Sequence, residues 1–319
     1  MKFPIFLTVF FAVQISLADH HAPHLPKDTN ICSHELVDEV TRGGRIEVIK
    51  QLIAQTPKKH PNCVDSHQGH SMLSYLADSY NNTTMLQVLQ QLKPIVDFQN
   101  IITLSVLVPN TVALKGDTAL MSAANNRYIA SDTMLFYLLA YGANPNIQED
   151  VVGSTALIEA SDEGWHFHPI DPKGKYGSST EYRKIMMLRL FGASPNIQGW
   201  THNIAPYKGS YADTVFHRLA RNRTGVEILE PFKLLIEPEK YLTYEHFYAQ
   251  IPKIYTHQYV QISREQFAAL HARMVKFDPR VLCVRNGAGR TVFDELKVTP
   301  PNWNKQPVVE YLSRYITCR

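Results

Sequence analysis

The sequence predicts an all-α fold made of stacked two-helix units, because two stretches in the middle of the chain repeat each other. Residues 116–124 (GDTALMSAA) recur at residues 153–161 (GSTALIEAS). Each copy is followed by an apolar stretch and then by a nearly identical ending, at residues 141–148 (YGANPNIQ) and 191–198 (FGASPNIQ). Internal similarity at a spacing of a few tens of residues is typical of repeat proteins.

The first helix of each unit is expected to begin at a threonine. Thr118 and Thr155 stand just before the apolar residues, and a threonine hydroxyl at this position accepts a hydrogen bond from the backbone of the first helical turn. Small residues follow at 123–124 and 160–161. They allow the first helices of neighbouring units to approach closely.

The second helix is predicted from its periodicity and its ending. Leu135, Leu138 and Leu139 have the i, i+3, i+4 spacing of one apolar helical face. Gly142 and Gly192 follow the last apolar turn, where a left-handed C-terminal cap belongs. The proline three residues after each glycine prevents the helix from continuing and favours a turn.

These two copies resemble the ankyrin repeat, whose pattern is Gly-x-Thr-Pro-Leu-His-x-Ala, a second helix rich in leucine, and Gly-Ala-x-x-Asn. Residues 118–120 and 155–157 stand where the family has Thr-Pro-Leu, while Met121 and Ile158 replace the histidine. Both endings fit the family pattern. The resemblance implies an ankyrin-repeat α-solenoid, in which each unit buries its apolar face against its neighbours.

Weaker copies flank the two clear ones. They begin near Thr214 and Thr291, and earlier near residues 47–53 and 71–92. About six degenerate repeats are expected within a repeat domain at 31–319. Because Thr155 and Thr214 are 59 residues apart, and Thr214 and Thr291 are 77 apart, insertions are expected near 165–179 and 241–274.

The first eighteen residues have the pattern of a secretory signal peptide. Met1 and Lys2 precede an almost wholly apolar stretch, and Ser16 and Ala18 provide the small residues of a cleavage site. Cleavage after Ala18 would leave a flexible, histidine-containing tail at 19–30 and a secreted or periplasmic protein. The alternative is an uncleaved anchor, although the apolar run is shorter than the roughly 18–20 residues that span a bilayer.

The four cysteines suit an oxidising compartment. Three pairings are possible. The favoured one joins Cys32 to Cys63 and Cys283 to Cys318, because each bond would close a loop of about one repeat. No Cys-x-x-C pair supports a zinc ribbon or a thioredoxin-like site. Disulfides in the two end units would offset the contacts that a terminal repeat lacks.

Composition excludes several classes of protein. With 45% hydrophobic and 19% charged residues, the chain is too apolar to be disordered. A net charge of +3 gives no charge-based reason to expect binding to nucleic acid or to an acidic membrane surface. Arg218, Arg221 and Arg223 form only a local basic group. Phosphate-binding, metalloprotease and nucleophile-elbow motifs do not occur. The chain is therefore not expected to be an enzyme or to bind a cofactor.

Two groups of aromatic and histidine residues are candidates for binding. Trp165, His166, Phe167 and His168 lie in the first predicted insertion. Aromatic side chains exposed on loops are typical binding residues, but packing against their own repeat is equally compatible with the sequence. For the aromatic residues at 244–259, packing is the favoured interpretation. His217 is expected to make the turn hydrogen bonds of its repeat.

A metal site is conceivable at the mature N-terminus. There Asp19, His20 and His21 would offer a free amine and an imidazole at the third position, a set that suits square-planar copper or nickel. The alternative is a flexible polar tail.

Proteins of the resembled family use their extended surface to hold another protein, so the resemblance implies protein–protein interaction. An exported bacterial effector that binds host proteins is the first expectation. A periplasmic scaffold or stress-protection protein is the second. A metal-binding or hydrolytic protein with its site in the insertions is the third.

Overall fold

The computed structural model is predominantly helical. It describes residues 31–42, 45–56, 63, 65, 72, 74–75, 107–108, 111–112, 118–126, 131–140, 142–149, 152–161, 179–200, 212–221, 225–250, 262–298 and 304–318. These ranges contain thirteen α-helices, one 3-10 helix and one short pair of strands. The predicted all-α class is confirmed.

The helices follow one another in chain order, with the two strands between the second and third. They are α1 (His34–Thr41), α2 (Ile46–Gln55), α3 (Ala119–Asn125), α4 (Ser131–Ala140), α5 (Ala156–Ala160), α6 (Ser179–Leu190), α7 (Val215–Arg221), α8 (Gly225–Ile236), α9 (Pro238–Tyr241), α10 (Tyr244–Gln250), α11 (Arg264–His271), α12 (Val292–Val298) and α13 (Gln306–Leu312). The 3-10 helix spans Pro279–Cys283. Strands β1 (Leu107–Val108) and β2 (Thr111–Val112) pair antiparallel.

Two layers of helices run through the molecule in the same order. In one layer α3 packs on α5, α5 on α7 and α7 on α12. In the other α4 packs on α6, α6 on α8 and α8 on α13. The four units they form therefore stack linearly. Helices α1 and α2 pack on each other as an N-terminal pair. The expected repeat at 71–92 lies largely outside the described residues, so the number of six repeats stays a prediction.

The first helices of the four stacked units begin in the same way. The side-chain oxygens of Thr118, Thr155, Thr214 and Thr291 each accept a hydrogen bond from the backbone N–H three residues ahead, at 3.2–3.4 Å. Each such cap stabilises a helix by about 1 kcal/mol. The repeat-defining threonines therefore occupy equivalent structural positions.

The second helices α4 and α6 end on equivalent glycines. Gly142 and Gly192 have φ of 94° and 89°, a conformation that glycine adopts without the cost a Cβ would add. The N–H of each glycine donates to the carbonyl three residues back, and that of the following alanine to the carbonyl five residues back, at 2.9–3.0 Å. This pair of bonds is the Schellman motif.

One apolar core extends from Cys32 to Leu312. The sequence predicts a single apolar face on α4, with Leu135, Leu138 and Leu139 buried on it, and they are. Burial on α4 is wider than predicted, however. Its other large side chains are buried too, and the ring of Phe136 lies 6.0 Å from that of Phe247 in α10. An inserted helix therefore contacts α4 at a residue outside the predicted leucine face.

Helices α9–α11 lie between α8 and the 3-10 helix, and α10 and α11 pack against α6. Four of their aromatic rings, from Tyr244, Phe247, Tyr248 and Phe267, lie with centroids 4.7–5.7 Å apart. Packing is thus the role of these aromatic residues in α10, as favoured from the sequence. The remainder of the segment up to Tyr259 lies outside the described residues.

Two disulfides close the ends of the described chain. Cys32 bonds to Cys63 and Cys283 to Cys318, across 31 and 35 residues of sequence. These are the pairs favoured from the sequence. None of the described helices has the length and apolar character needed to cross a bilayer.

Candidate interaction surface

Two turns follow the second helices α4 and α6, and a third turn, which follows the inserted helix α11, lies beside them. We call residues 142–149 the first turn, 192–200 the second turn and 272–290 the third turn. The side chain of Asn146 joins the first two, because its Nδ2 donates to the carbonyl of Gly192 at 2.9 Å and its Oδ1 accepts from the N–H of Ser194 at 2.7 Å. One amide side chain therefore fixes the spacing of two units.

The same arrangement recurs between the second and third turns. The Nδ2 of Asn196 donates to the carbonyl of Lys276 at 2.8 Å, and its Oδ1 accepts from the N–H of Asp278 at 2.9 Å. Residues 276–278 thus stand where residues 192–194 stand one unit earlier. The third turn is the ending of the unit that begins at Thr214, displaced along the chain by helices α9–α11.

Sequence reasoning missed the third turn because it lacks the Gly-Ala pair of the other endings. A weaker signal is present. Asp278-Pro279 corresponds to Asn144-Pro145 and Ser194-Pro195, a small polar residue before a proline in each case. Such a dipeptide favours a turn, and here it follows the insertion rather than a second helix.

Two glutamine side chains add further hydrogen bonds between the turns. The Nε2 of Gln148 donates to the carbonyls of Gly153 and Gln198, at 2.8 and 3.0 Å. The Nε2 of Gln198 donates to the carbonyls of Ala212 and Arg285, at 2.8 and 2.9 Å. Hydrogen bonds from these amide side chains to the backbone consequently connect the three turns into one continuous edge.

Trp200 ends the second turn and is the exposed apolar group of this edge. Its N–H donates to the carbonyl of Val152 at 2.6 Å, and its carbonyl accepts from the N–H of Ala212 at 2.9 Å. Its side chain is 44% exposed, and within the described ranges it is the only aromatic among the exposed large apolar side chains. The sequence analysis did not single it out, although it stands directly after a repeated ending.

The basic group expected near residue 218 is neutralised in the fold. Arg218 lies 3.0 Å from the carboxylate of Asp213, and Arg221 also pairs with that buried carboxylate. Arg221 and Arg290 lie 3.8 and 3.5 Å from the buried carboxylate of Glu295. The Arg221–Glu295 pair connects the third unit to the last one. The remaining member of the sequence group, Arg223, is outside the described residues.

His217 makes the hydrogen bonds expected of it. Its Nδ1 accepts from the N–H of Thr214 at 3.2 Å, so the imidazole carries its proton on Nε2, which donates to the carbonyl of Arg290 at 3.0 Å. Burial of the ring lowers the pKa of His217. The neutral imidazole therefore joins the start of α7 to the end of the third turn.

Two buried lysines hold neighbouring units together. The Nζ of Lys184 donates to the carbonyl of Ala124 at 2.9 Å, and that of Lys305 donates to the carbonyl of Ala220. Each lysine thus comes from one unit and binds the C-terminal end of the first helix of the preceding unit, where a cation is favourable. Burial lowers the pKa of Lys305 to about 8.

Arg189 joins the second turn to the third turn. Its Nη1 donates to the carbonyl of Ala193 at 2.5 Å and its Nη2 to that of Val275 at 2.9 Å. The side chain is fully buried, and this burial lowers the pKa of its guanidinium to about 10.

Other candidate residues fall outside the described chain. They are the aromatic and histidine group at Trp165, His166, Phe167 and His168, and the metal group at Asp19, His20 and His21. In the part of the chain that is described, no cluster of histidine, cysteine, aspartate and glutamate side chains could hold a metal ion.

Comparison with known proteins gives one family. The profile described as Ankyrin repeat matches residues 115–150, the range that holds α3, α4 and the first turn. No curated protein sequence matches the chain. Among solved structures, the chain is similar to one from a complex of a predatory endopeptidase with its immunity protein, from Bdellovibrio bacteriovorus. The identity is 16%, the match covers 89% of this chain and 99% of that chain, and the TM-score is 0.45.

Proposed function

Because residues 115–150 match the ankyrin-repeat profile, we propose that the chain is an ankyrin-repeat protein and binds another protein through the edge formed by its three turns. Repeat stacks of this kind present extended surfaces suited to protein partners. The proposed activity is contact with that partner and not catalysis.

One observation carries the proposal. The three turns are joined through Asn146, Gln148, Asn196 and Gln198 into one edge, and this edge displays the indole of Trp200. Large aromatic side chains supply much of the binding energy in protein interfaces because they bury a large area with few rotatable bonds. An exposed indole on an edge that is held in place by these hydrogen bonds can supply such a contact.

Affinity capture with residues 19–319 as bait tests the proposal. Trp200→Ala should abolish or strongly weaken capture of the partner. The matched control is Val298→Ala, which truncates another exposed apolar side chain, 60% exposed, on α12. This control should retain the partner. Equal capture by both variants, with both shown to be folded by their urea unfolding, would contradict the proposal.

Export from the cytoplasm is also part of the proposal. It is supported by the signal-like segment that ends at Ala18 and by the two disulfides, which form and persist in oxidising compartments. An effector that engages host proteins is the first form of this hypothesis. A periplasmic scaffold or stress-protection protein is the second.

Fractionation of the source cells separates these forms. An effector should be found in the medium or in host cells, and a scaffold in the periplasm. Mass spectrometry of the recovered protein should show loss of residues 1–18. Protein confined to the cytosol, with residues 1–18 still attached, would refute export.

A further inference from the structure

The positive charge of the chain is concentrated in the third turn. Residues 272–290 contain five basic residues and one acidic residue. The whole chain has 32 basic and 29 acidic residues, which leaves 27 and 28 outside this turn. The third turn therefore carries the entire positive excess of the protein.

All five of these cations reach solvent. They are Arg273, Lys276, Arg280, Arg285 and Arg290, and every one is exposed. Two of them lie beside the second turn, since the carbonyls of Lys276 and Arg285 accept hydrogen bonds from the side chains of Asn196 and Gln198. These cations thus lie along one side of the turn that ends at Trp200.

The carboxylates nearby cancel only part of this charge. Asp278 forms an ion pair with Arg280 at 2.6 Å, and Glu295 lies 3.5 Å from Arg290, so the net positive charge is carried by Arg273, Lys276 and Arg285. Asp294 accepts from the N–H and the hydroxyl of Thr291 and caps α12. Glu295 is buried and accepts from the side chain of Asn286 at 2.7 Å. The exposed surface of the third turn remains net positive.

We propose that the third turn, together with Trp200, recognises an acidic segment of the partner protein. This inference rests on the proposed function and adds the chemistry of the partner. Four of the five cations are arginines, whose planar guanidinium binds carboxylates through two parallel hydrogen bonds. The indole of Trp200, two residues after the Gln198 that bonds to the Arg285 carbonyl, supplies an apolar contact on the same edge. An extended segment with several Asp or Glu residues and one apolar side chain fits this combination.

A nucleic acid is the weaker alternative for the same charges. Proteins that bind nucleic acids display basic stripes along a whole face and have pI values above about 9. Here the cations occupy one turn, the rest of the chain is slightly acidic and the sequence pI is about 8.5. The observations therefore favour a short acidic protein segment.

Fluorescence anisotropy with a labelled peptide tests the inference. The probe is a twelve-residue peptide of Asp and Glu with one central Leu, used at 20 and 150 mM NaCl, against residues 19–319 with both disulfides formed. The peptide should bind, and less tightly at the higher salt. The double variant Lys276→Gln and Arg285→Gln should bind it about three- to tenfold more weakly, in line with the loss of two exposed ion pairs.

The matched control removes two exposed cations elsewhere, Arg264→Gln and Lys240→Gln on the insertion, and should leave peptide affinity unchanged. Absence of binding, or equal loss in both double variants, would overturn the inference. Tighter binding of a single-stranded DNA of the same length, or of phosphatidylserine vesicles, would overturn it as well.

The captured partner separates this inference from the proposed function. If partner capture depends on Trp200 but not on Lys276 and Arg285, the acidic-segment inference fails and the proposed function stands. If capture is also independent of Trp200, the proposed function fails.

Discussion

The indole of Trp200 lies directly on the backbone of Gly153. A Cβ added at residue 153 would be 2.7 Å from Cδ2 of the indole and 2.9 Å from the backbone nitrogen of Trp200. Gly153 also has a φ of 68°. The absence of a side chain at residue 153 thus allows the second turn to pack against the start of its own unit, just before α5.

Substitution of Gly153 by alanine should destabilise the protein and displace the second turn. The expected loss is about 2–4 kcal/mol, because the left-handed backbone and the close contact both oppose a methyl group. Gly289→Ala is the matched control, with a φ of 74° and no atom within 4 Å of the added Cβ. It should cost only about 1 kcal/mol. Urea unfolding measures both, and equal losses would disprove the close contact.

Removal of the Asn196 side chain should weaken the junction between the second and third turns. Asn196→Ala leaves the carbonyl of Lys276 and the N–H of Asp278 without their partner, which should cost about 1–3 kcal/mol. Asn144→Ala, which removes only one exposed local bond to Asn146, should cost less than 1 kcal/mol. Urea unfolding tests the difference, and hydrogen exchange should increase in the third turn of Asn196→Ala alone.

The protein should lose stability in mild acid through His217. Burial lowers the pKa of this ring in the folded state, while in the unfolded chain it titrates near 6.5. Below that pH the unfolded state binds more protons, so the free energy of unfolding should fall as pH drops below about 6.5. Urea unfolding between pH 5 and 7.5 measures this slope. If His217→Gln has the same slope as the parent protein, His217 is not its source.

Loss of either disulfide should destabilise the fold markedly. The chain-entropy model gives about 4 kcal/mol for each loop, here of 31 and 35 residues. The double variants Cys32→Ser with Cys63→Ser, and Cys283→Ser with Cys318→Ser, should therefore lower the free energy of unfolding by similar amounts. Mass spectrometry after alkylation supplies the control. Four reactive thiols in the exported protein would show that the bonds do not form there.

Features that depend on neighbours in the chain could be predicted from the sequence. The threonine caps, the glycine endings and the turns after them are stabilised by hydrogen bonds that span three to five residues. A short segment therefore carries the whole signal. The favoured cysteine pairs followed from the same periodicity, because each pair closes about one unit.

Features that depend on which surfaces meet could not be predicted in this way. Periodicity predicted the leucine face of α4, but not the contact of Phe136 with Phe247 of α10. The sequence presents Arg221 as basic, but the buried carboxylate of Glu295, far along the chain, lies 3.8 Å from it.

The sequence by itself determined the repeat, the all-α class and the ends of individual helices, because these are set by local hydrogen bonds and by helical periodicity. Only the tertiary structure decided that residues 276–278 complete a unit begun more than fifty residues earlier. It also decided that Trp200 stays exposed while every phenylalanine and tyrosine side chain in the described ranges is buried or half-buried. Both outcomes depend on long-range packing, in which the burial of each surface is settled by the partner it meets.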